Sequence, residues 1–208
     1  MTPHSDGNLP LTEQRALWRR QSASLPALRG GKRAWFGLVV ELVTQVDAGK
    51  ATAMDDRPAV PDTVFGTADA RPGAPAVREP LTWGEYSRFL KAANLARQDD
   101  SGLTLTKVGH ELLDSRSPLV LGLSLCRNFR LLAESLRYIS DAPVTVENLD
   151  DLLRASFRTD WKSLGGARAR TDWLDALGAI EPTSGRRWMI TSVGENMLAA
   201  CRFVTPEA

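Results

Sequence analysis

The sequence predicts a mainly α-helical protein carrying two small β-hairpins, and three observations predict it. In the stretch 163–198, Leu164, Ala167, Thr171, Leu174 and Leu177 recur at three- and four-residue steps, which places them on one helical face. Gly178 then ends that helix as a left-handed terminator, short apolar runs flank the turn-forming cluster Pro182-Thr183-Ser184-Gly185, and another helix follows. The same order of helix, hairpin and helix returns between Thr82 and Leu113. Between the two, Leu121, Leu125, Phe129, Leu132, Leu136 and Ile139 trace a stripe that suits one central helix of about 33 Å at ~1.5 Å per residue.

Composition narrows the function classes. With 208 residues the chain can bury a real core as one large domain or two small ones. Its formal charge of +1 is not that of a strongly basic nucleic-acid binder, so any attraction for phosphate must be local. Cys126 and Cys201 lie far apart in helical contexts, which suits reduced thiols in the cytoplasm better than a disulfide scaffold. No charged and apolar leader opens the chain, and the longest apolar run, 118–126, falls far short of the ~20 residues that span a bilayer.

Residues 1–10 read as a loose polar tail, within a basic N-terminal arm over 1–33. Thr12 suits the cap of a short helix that Pro26 must end or bend. Arg15, Arg19, Arg20, Arg29, Lys32 and Arg33 follow one another with no acid between them. Such a run suits contact with phosphates, or equally a solvated face or a subunit contact. Residues 34–46 are apolar almost all round and predict a buried helix, although their valines leave a strand open. The five prolines of 49–80 predict an irregular loop.

Thr82 and Glu85 have capping-box spacing, and Tyr86, Phe89, Leu90 and Ala93 continue an apolar face to Asn94. Leu95 to Arg97, the turn 99–102 and Leu103 to Thr106 predict the first hairpin, with a helix over 108–113. Leu90, Asn94, Thr106, Val108, Gly109 and Leu113 correspond to Leu174, Gly178, Thr191, Val193, Gly194 and Leu198, which predicts two related units. The units occupy 34–116 and 117–208. Ser117 and Pro118 start the central helix, whose first two turns are apolar all round and predict burial between the units or in a dimer contact. Arg127, Arg130, Glu134 and Arg137 read as its solvent face, and Asp141-Ala142-Pro143 stops it. Another helix is expected over 146–157 with Leu149, Leu152 and Leu153 inward, and Ser192 with Glu195 predicts the cap of a last helix from Val193.

In the second unit WLDALGAIE, the basic hairpin SGRRWMI and the closing TSVGENML resemble the second half of a winged helix-turn-helix domain, TSVGENML matching the phrase LTxxGxxLL. The resemblance implies tandem winged helix-turn-helix units around the central helix, a recognition helix ending at Gly178 and a wing at 184–190. It places candidate DNA contacts at Arg158, Lys162, Ser163, Arg168 and Arg170 before and within that helix, and at Arg186 and Arg187 in the wing, joined by Arg15, Arg19 and Arg20 of the arm. Asp172 and Asp175 share the helix with Arg168 and oppose phosphate if exposed. In the first wing Asp99 and Asp100 stand where the second has arginines, so that unit is expected to hold a partner rather than DNA.

Catalytic patterns are lacking. The histidines are His4 and His110, and HELLD has Asp114 where a zincin helix needs its second His. Gly165-Gly166 lacks the rest of a dinucleotide or phosphate loop, and Cys126 has no metal-ligand spacing to Cys201. The expectation is a non-enzymatic double-stranded DNA-binding protein without metal or cofactor. It would serve as a transcriptional repressor or as the DNA-contacting subunit of a bacterial DNA-processing or phage-defence machine, as a homodimer or within a larger complex. The alternative is a protein-interaction adaptor in a DNA-organising complex.

Overall fold

The computed structural model describes residues 11–28, 30–49, 82–157, 159, 161 and 163–201. The expected tail over 1–10, most of the proline-rich loop, and Arg29, Arg158 and Lys162 lie outside these residues. The described residues form nine α-helices and two antiparallel hairpins, so the protein is mainly helical. They divide into two compact units, one within 26–120 and one combining 11–25 with 121–201.

In the first unit α2 (Lys32–Asp47) is a helix rather than a strand, and it buries Trp35, Leu38, Val39, Leu42, Val43 and Val46. The apolar surface of 34–46 is therefore largely covered within the chain. Trp35 Nε1 donates to the Leu28 carbonyl at 2.9 Å, which satisfies the buried indole. α3 (Trp83–Ala92) opens on a complete capping box: Thr82 Oγ1 accepts from Glu85 N, and Glu85 Oε2 accepts from Thr82 N at 2.9 Å. Asn94, at φ 55°, turns the chain into β1 (Ala96–Asp99), which pairs with β2 (Gly102–Leu105) before α4 (Lys107–Ser115).

The second unit begins with α1 (Leu11–Arg20) and the segment after it. It continues through α5 (Pro118–Asn128) from Leu121 on, α6 (Leu132–Asp141), α7 (Val146–Phe157) and α8 (Gly165–Ala176). β3 (Ile180–Pro182), one 3-10 turn at Ser184–Arg186, β4 (Trp188–Ile190) and α9 (Ser192–Ala200) complete it. Gly178 ends the α8 region at φ 68°. The cap of α9 is Thr191, one residue earlier than the Ser192 spacing predicts. Its Oγ1 accepts from Gly194 N at 3.2 Å.

The internal repeat extends to individual hydrogen bonds. Leu95 N donates to Leu90 O at 2.9 Å and Ala179 N to Leu174 O at 2.8 Å. Thr106 Oγ1 donates to Asn94 O and Thr191 Oγ1 to Gly178 O, each at 2.6 Å. Each threonine also caps the following helix, through Gly109 N at 3.1 Å and Gly194 N at 3.2 Å. A Cβ at Gly109 would fall on the Leu95 carbonyl, and one at Gly194 on the Ala179 carbonyl. Both glycines are thus required by a close backbone approach rather than by their dihedrals.

The long central helix does not form. α5 ends at Asn128 and α6 starts at Leu132, because the segment after α1 takes over the intervening hydrogen bonds. Ser22 N donates to Asn128 O at 2.7 Å, Arg130 N donates to Ser22 O at 3.0 Å, and Gln21 Nε2 reaches the carbonyls of Cys126 and Arg127. Leu131 turns at φ 65°, a conformation that costs roughly 1–2 kcal/mol and is offset by burying its side chain. Phe129 and Leu132 are buried on either side of the break, so the apolar stripe runs through it unmarked. Other expectations fail as well. Glu134 is 4% exposed and not on a solvent face, and Leu152 is 38% exposed and does not face inward.

Candidate nucleic-acid interface

α8 buries Ala167, Thr171, Trp173 and Leu174, which leaves Arg168 exposed on its outer side with Asp172 and Asp175 half-buried beside it. Ser163 is exposed ahead of the helix. Its Oγ accepts from Gly165 N at 3.3 Å, and its carbonyl accepts from Arg154 Nη2 at 3.2 Å. Arg154 is also paired with Asp150, so it braces the turn between α7 and α8.

Arg170 is not available to DNA. It is 2% exposed, and its guanidinium donates to the carbonyls of Arg130 at 2.9 Å, Gly166 at 2.8 Å and Ala23 at 3.2 Å. The same group lies 4.4 Å from the centre of the Trp161 ring. Burial lowers its pKa to about 10, against the opposing effect of the buried Glu134 carboxylate, so it stays charged at neutral pH. Three backbone segments converge on this one cation, which makes it a structural residue of the fold.

The second wing is closed by Thr183 N donating to Arg187 O at 2.8 Å, and it turns through Gly185 at φ 72° and Arg186 at φ 59°. Arg186 and Arg187 are both exposed. Val144 pairs antiparallel with Trp188, with Trp188 N to Val144 O at 2.8 Å and the reverse bond at 3.2 Å. Running on from that rung in opposite directions, the chain brings the first turn of α7 abreast of the wing. Glu147 in that turn has its pKa lowered by hydrogen bonds from its own backbone N–H and from Thr145, and then by the positive charges of Arg168 and Arg186. One carboxylate therefore senses both the helix arginine and the wing arginine. Sequence reasoning missed Glu147 because its partners are remote along the chain; Thr145, which caps α7 through Asn148 N at 3.2 Å, was the only local signal.

On α1, Arg15, Arg19 and Arg20 are exposed. The helix is anchored by Trp18, which stacks on Phe157 at 5.8 Å and lies 5.0 Å beneath the Arg130 guanidinium. Arg130 Nε also donates to Trp18 O at 3.0 Å, so Arg130 is a packing residue and not a solvent-facing one. The first hairpin is exposed and acidic at Asp99 and Asp100. Asp99 accepts from Ser101 and Thr104 Oγ1, and these hydrogen bonds hold its carboxyl below its usual range. Among the described residues no group of three or more His, Cys, Asp or Glu is placed to hold a metal ion. No helix there is long and apolar enough to cross a membrane.

Compared with known proteins, the chain matches no family model, and neither a curated protein nor a solved structure is detectably similar to it.

Proposed function

We propose that this is a non-enzymatic double-stranded DNA-binding protein built from tandem winged helix-turn-helix units, with the second unit carrying the contacts. One observation supports the reading above the others. In the second unit the order α6, Val144, α7, α8, β3, wing and β4 has Val144 joined to β4 as a third strand position. In that order α8 takes the place of a recognition helix, with Arg168 on its open side and Arg186 and Arg187 on the wing. Arg15, Arg19 and Arg20 add a basic helix to the same unit, suited to backbone phosphates. The biological setting proposed is a transcriptional repressor or a DNA-contacting subunit of a bacterial processing or phage-defence machine. Homodimerisation belongs to the proposal as the way a small reader lengthens its site, and sedimentation showing only monomer at micromolar concentration removes that part.

Fluorescence anisotropy on a random duplex at low and moderate salt tests the reading. Binding should weaken steeply with salt, and replacing Arg186 and Arg187 together by alanine should flatten the slope by about two phosphate contacts on every sequence alike. Arg168→Ala should cost on the order of 1–3 kcal/mol on a preferred site and less elsewhere. A wild-type protein that does not bind duplex at low salt overturns the proposal. The second reading, a protein-binding adaptor, is favoured by the exposed apolar pair Leu152 and Met189. Val144, Asn148, Asp151, Leu152 and Ala155 line a shallow groove of about 440 Å³ on α7.

A further inference from the structure

α1 is fixed to the second unit at one particular place. Trp18 stacks on Phe157, the last residue of α7, and lies 5.0 Å from the Arg130 guanidinium, whose Nε donates to the Trp18 carbonyl at 3.0 Å. The chain leaving the helix is then bonded along the break between α5 and α6. Arg130 N donates to Ser22 O at 3.0 Å, and Ser22 pairs with Phe129 in a parallel bridge. The Ala23 carbonyl accepts from Arg170 of α8 at 3.2 Å. These contacts hold a helix of only 10 residues, too short to persist by itself in water.

α7 therefore has the wing at one end and α1 at the other. The Val144–Trp188 rung stands just before its first turn, and Phe157 closes its last. Its 12 residues at ~1.5 Å each separate those ends by about 18 Å, or about five base pairs at ~3.4 Å per pair. We propose that α1 is a second phosphate-contacting arm, placed by Arg130 at the end of α7 remote from the wing, so that arm and wing grip the duplex backbone at separate phosphates. This rests on the duplex-binding reading of the second unit and extends it to the footprint.

The charges suit that role. Arg15 and Arg19, four residues apart, share a helix face, Arg20 follows at the helix end, and all three are exposed. Glu13 is the one acid in the helix. Arg19 and Arg20 also suit the negative end of the helix dipole, and salt dependence separates the two roles, because a residue serving only the dipole leaves duplex binding unchanged. Arg130 is a positioning residue: its side chain is engaged with Trp18 and acts on the duplex only through α1.

The test is fluorescence anisotropy of the full chain on a duplex of about 20 base pairs, titrated across salt. Replacing Arg15, Arg19 and Arg20 together by glutamine, which keeps the helix propensity, should flatten the salt slope by about two to three contacts. Combined with Arg186→Ala and Arg187→Ala the two losses should add, because the groups touch different phosphates. Arg130→Met should reproduce the slope of the glutamine variant and add nothing to it, and Arg130→Lys, which keeps a cation over Trp18, should restore most of the wild-type slope. Wild type that binds duplex with a slope unchanged by the three glutamines, or arm and wing losses that fail to add, overturns this proposal alone. Both readouts use surface variants and stand even if Arg130→Met does not fold. Wild type that does not bind duplex at low salt overturns the reading beneath it and this proposal together.

Discussion

Arg170→Met separates a structural arginine from a DNA contact. The substitution keeps most of the aliphatic volume and removes the charge. Three carbonyls, those of Arg130, Gly166 and Ala23, lose a charged donor, and the positive charge on which the buried Glu134 carboxylate acts is removed. Leaving acceptors without their buried charged donor costs about 1–3 kcal/mol apiece, so a total loss of roughly 3–5 kcal/mol is expected, about a third of the stability of an ordinary domain. With a urea dependence of about 1–3 kcal/mol per molar, the midpoint should fall by roughly 2 M. The assay is urea unfolding of wild type and variant followed by tryptophan fluorescence, with duplex anisotropy on the variant under conditions where it is still folded. The expected result is a large loss of stability and an unchanged salt slope for duplex binding. A variant as stable as wild type with weakened DNA binding would place Arg170 on the phosphate backbone and refute the burial argument.

Gly194→Ala and Gly109→Ala should each destabilise their own unit by about 1–3 kcal/mol or more, because the atom met by the new methyl is a backbone carbonyl that cannot swing aside. Hydrogen exchange resolved by unit measures this, and an alanine tolerated at either site refutes the close approach. Glu147→Gln should tighten duplex binding several-fold and steepen the salt slope, since the carboxylate is partly neutralising Arg168 and Arg186; an anisotropy curve identical to wild type excludes that role. Asp99 has a folded pKa below its ordinary value of 3.8. Its contribution is therefore present above that value and lost as pH falls through the lower folded one, which an NMR titration of its side chain would follow. Asp99→Ala should leave duplex affinity unchanged or slightly improved, whereas a loss would assign DNA contact to the first hairpin.

Local chemistry made much of the architecture legible from the chain alone. The capping box of Thr82 and Glu85, the left-handed exits at Asn94 and Gly178 and the two hairpins depend on residues a few positions apart, so spacing carries the information. The repeat was legible for the same reason, since Thr106 with Gly109 and Thr191 with Gly194 are short-range pairs. What only the tertiary structure decided involves partners remote in sequence. The stripe from Leu121 to Ile139 cannot reveal that Gln21 and Ser22 interrupt it, because residues on both sides of the break remain apolar and buried. Arg170 and Arg168 are both arginines on one helix, and only the arrival of the Ala23 and Arg130 carbonyls makes the first a buried structural cation while the second stays in solvent. Helical periodicity fixes which way a side chain points; the distant backbone that meets it there determines whether its charge is available to a ligand.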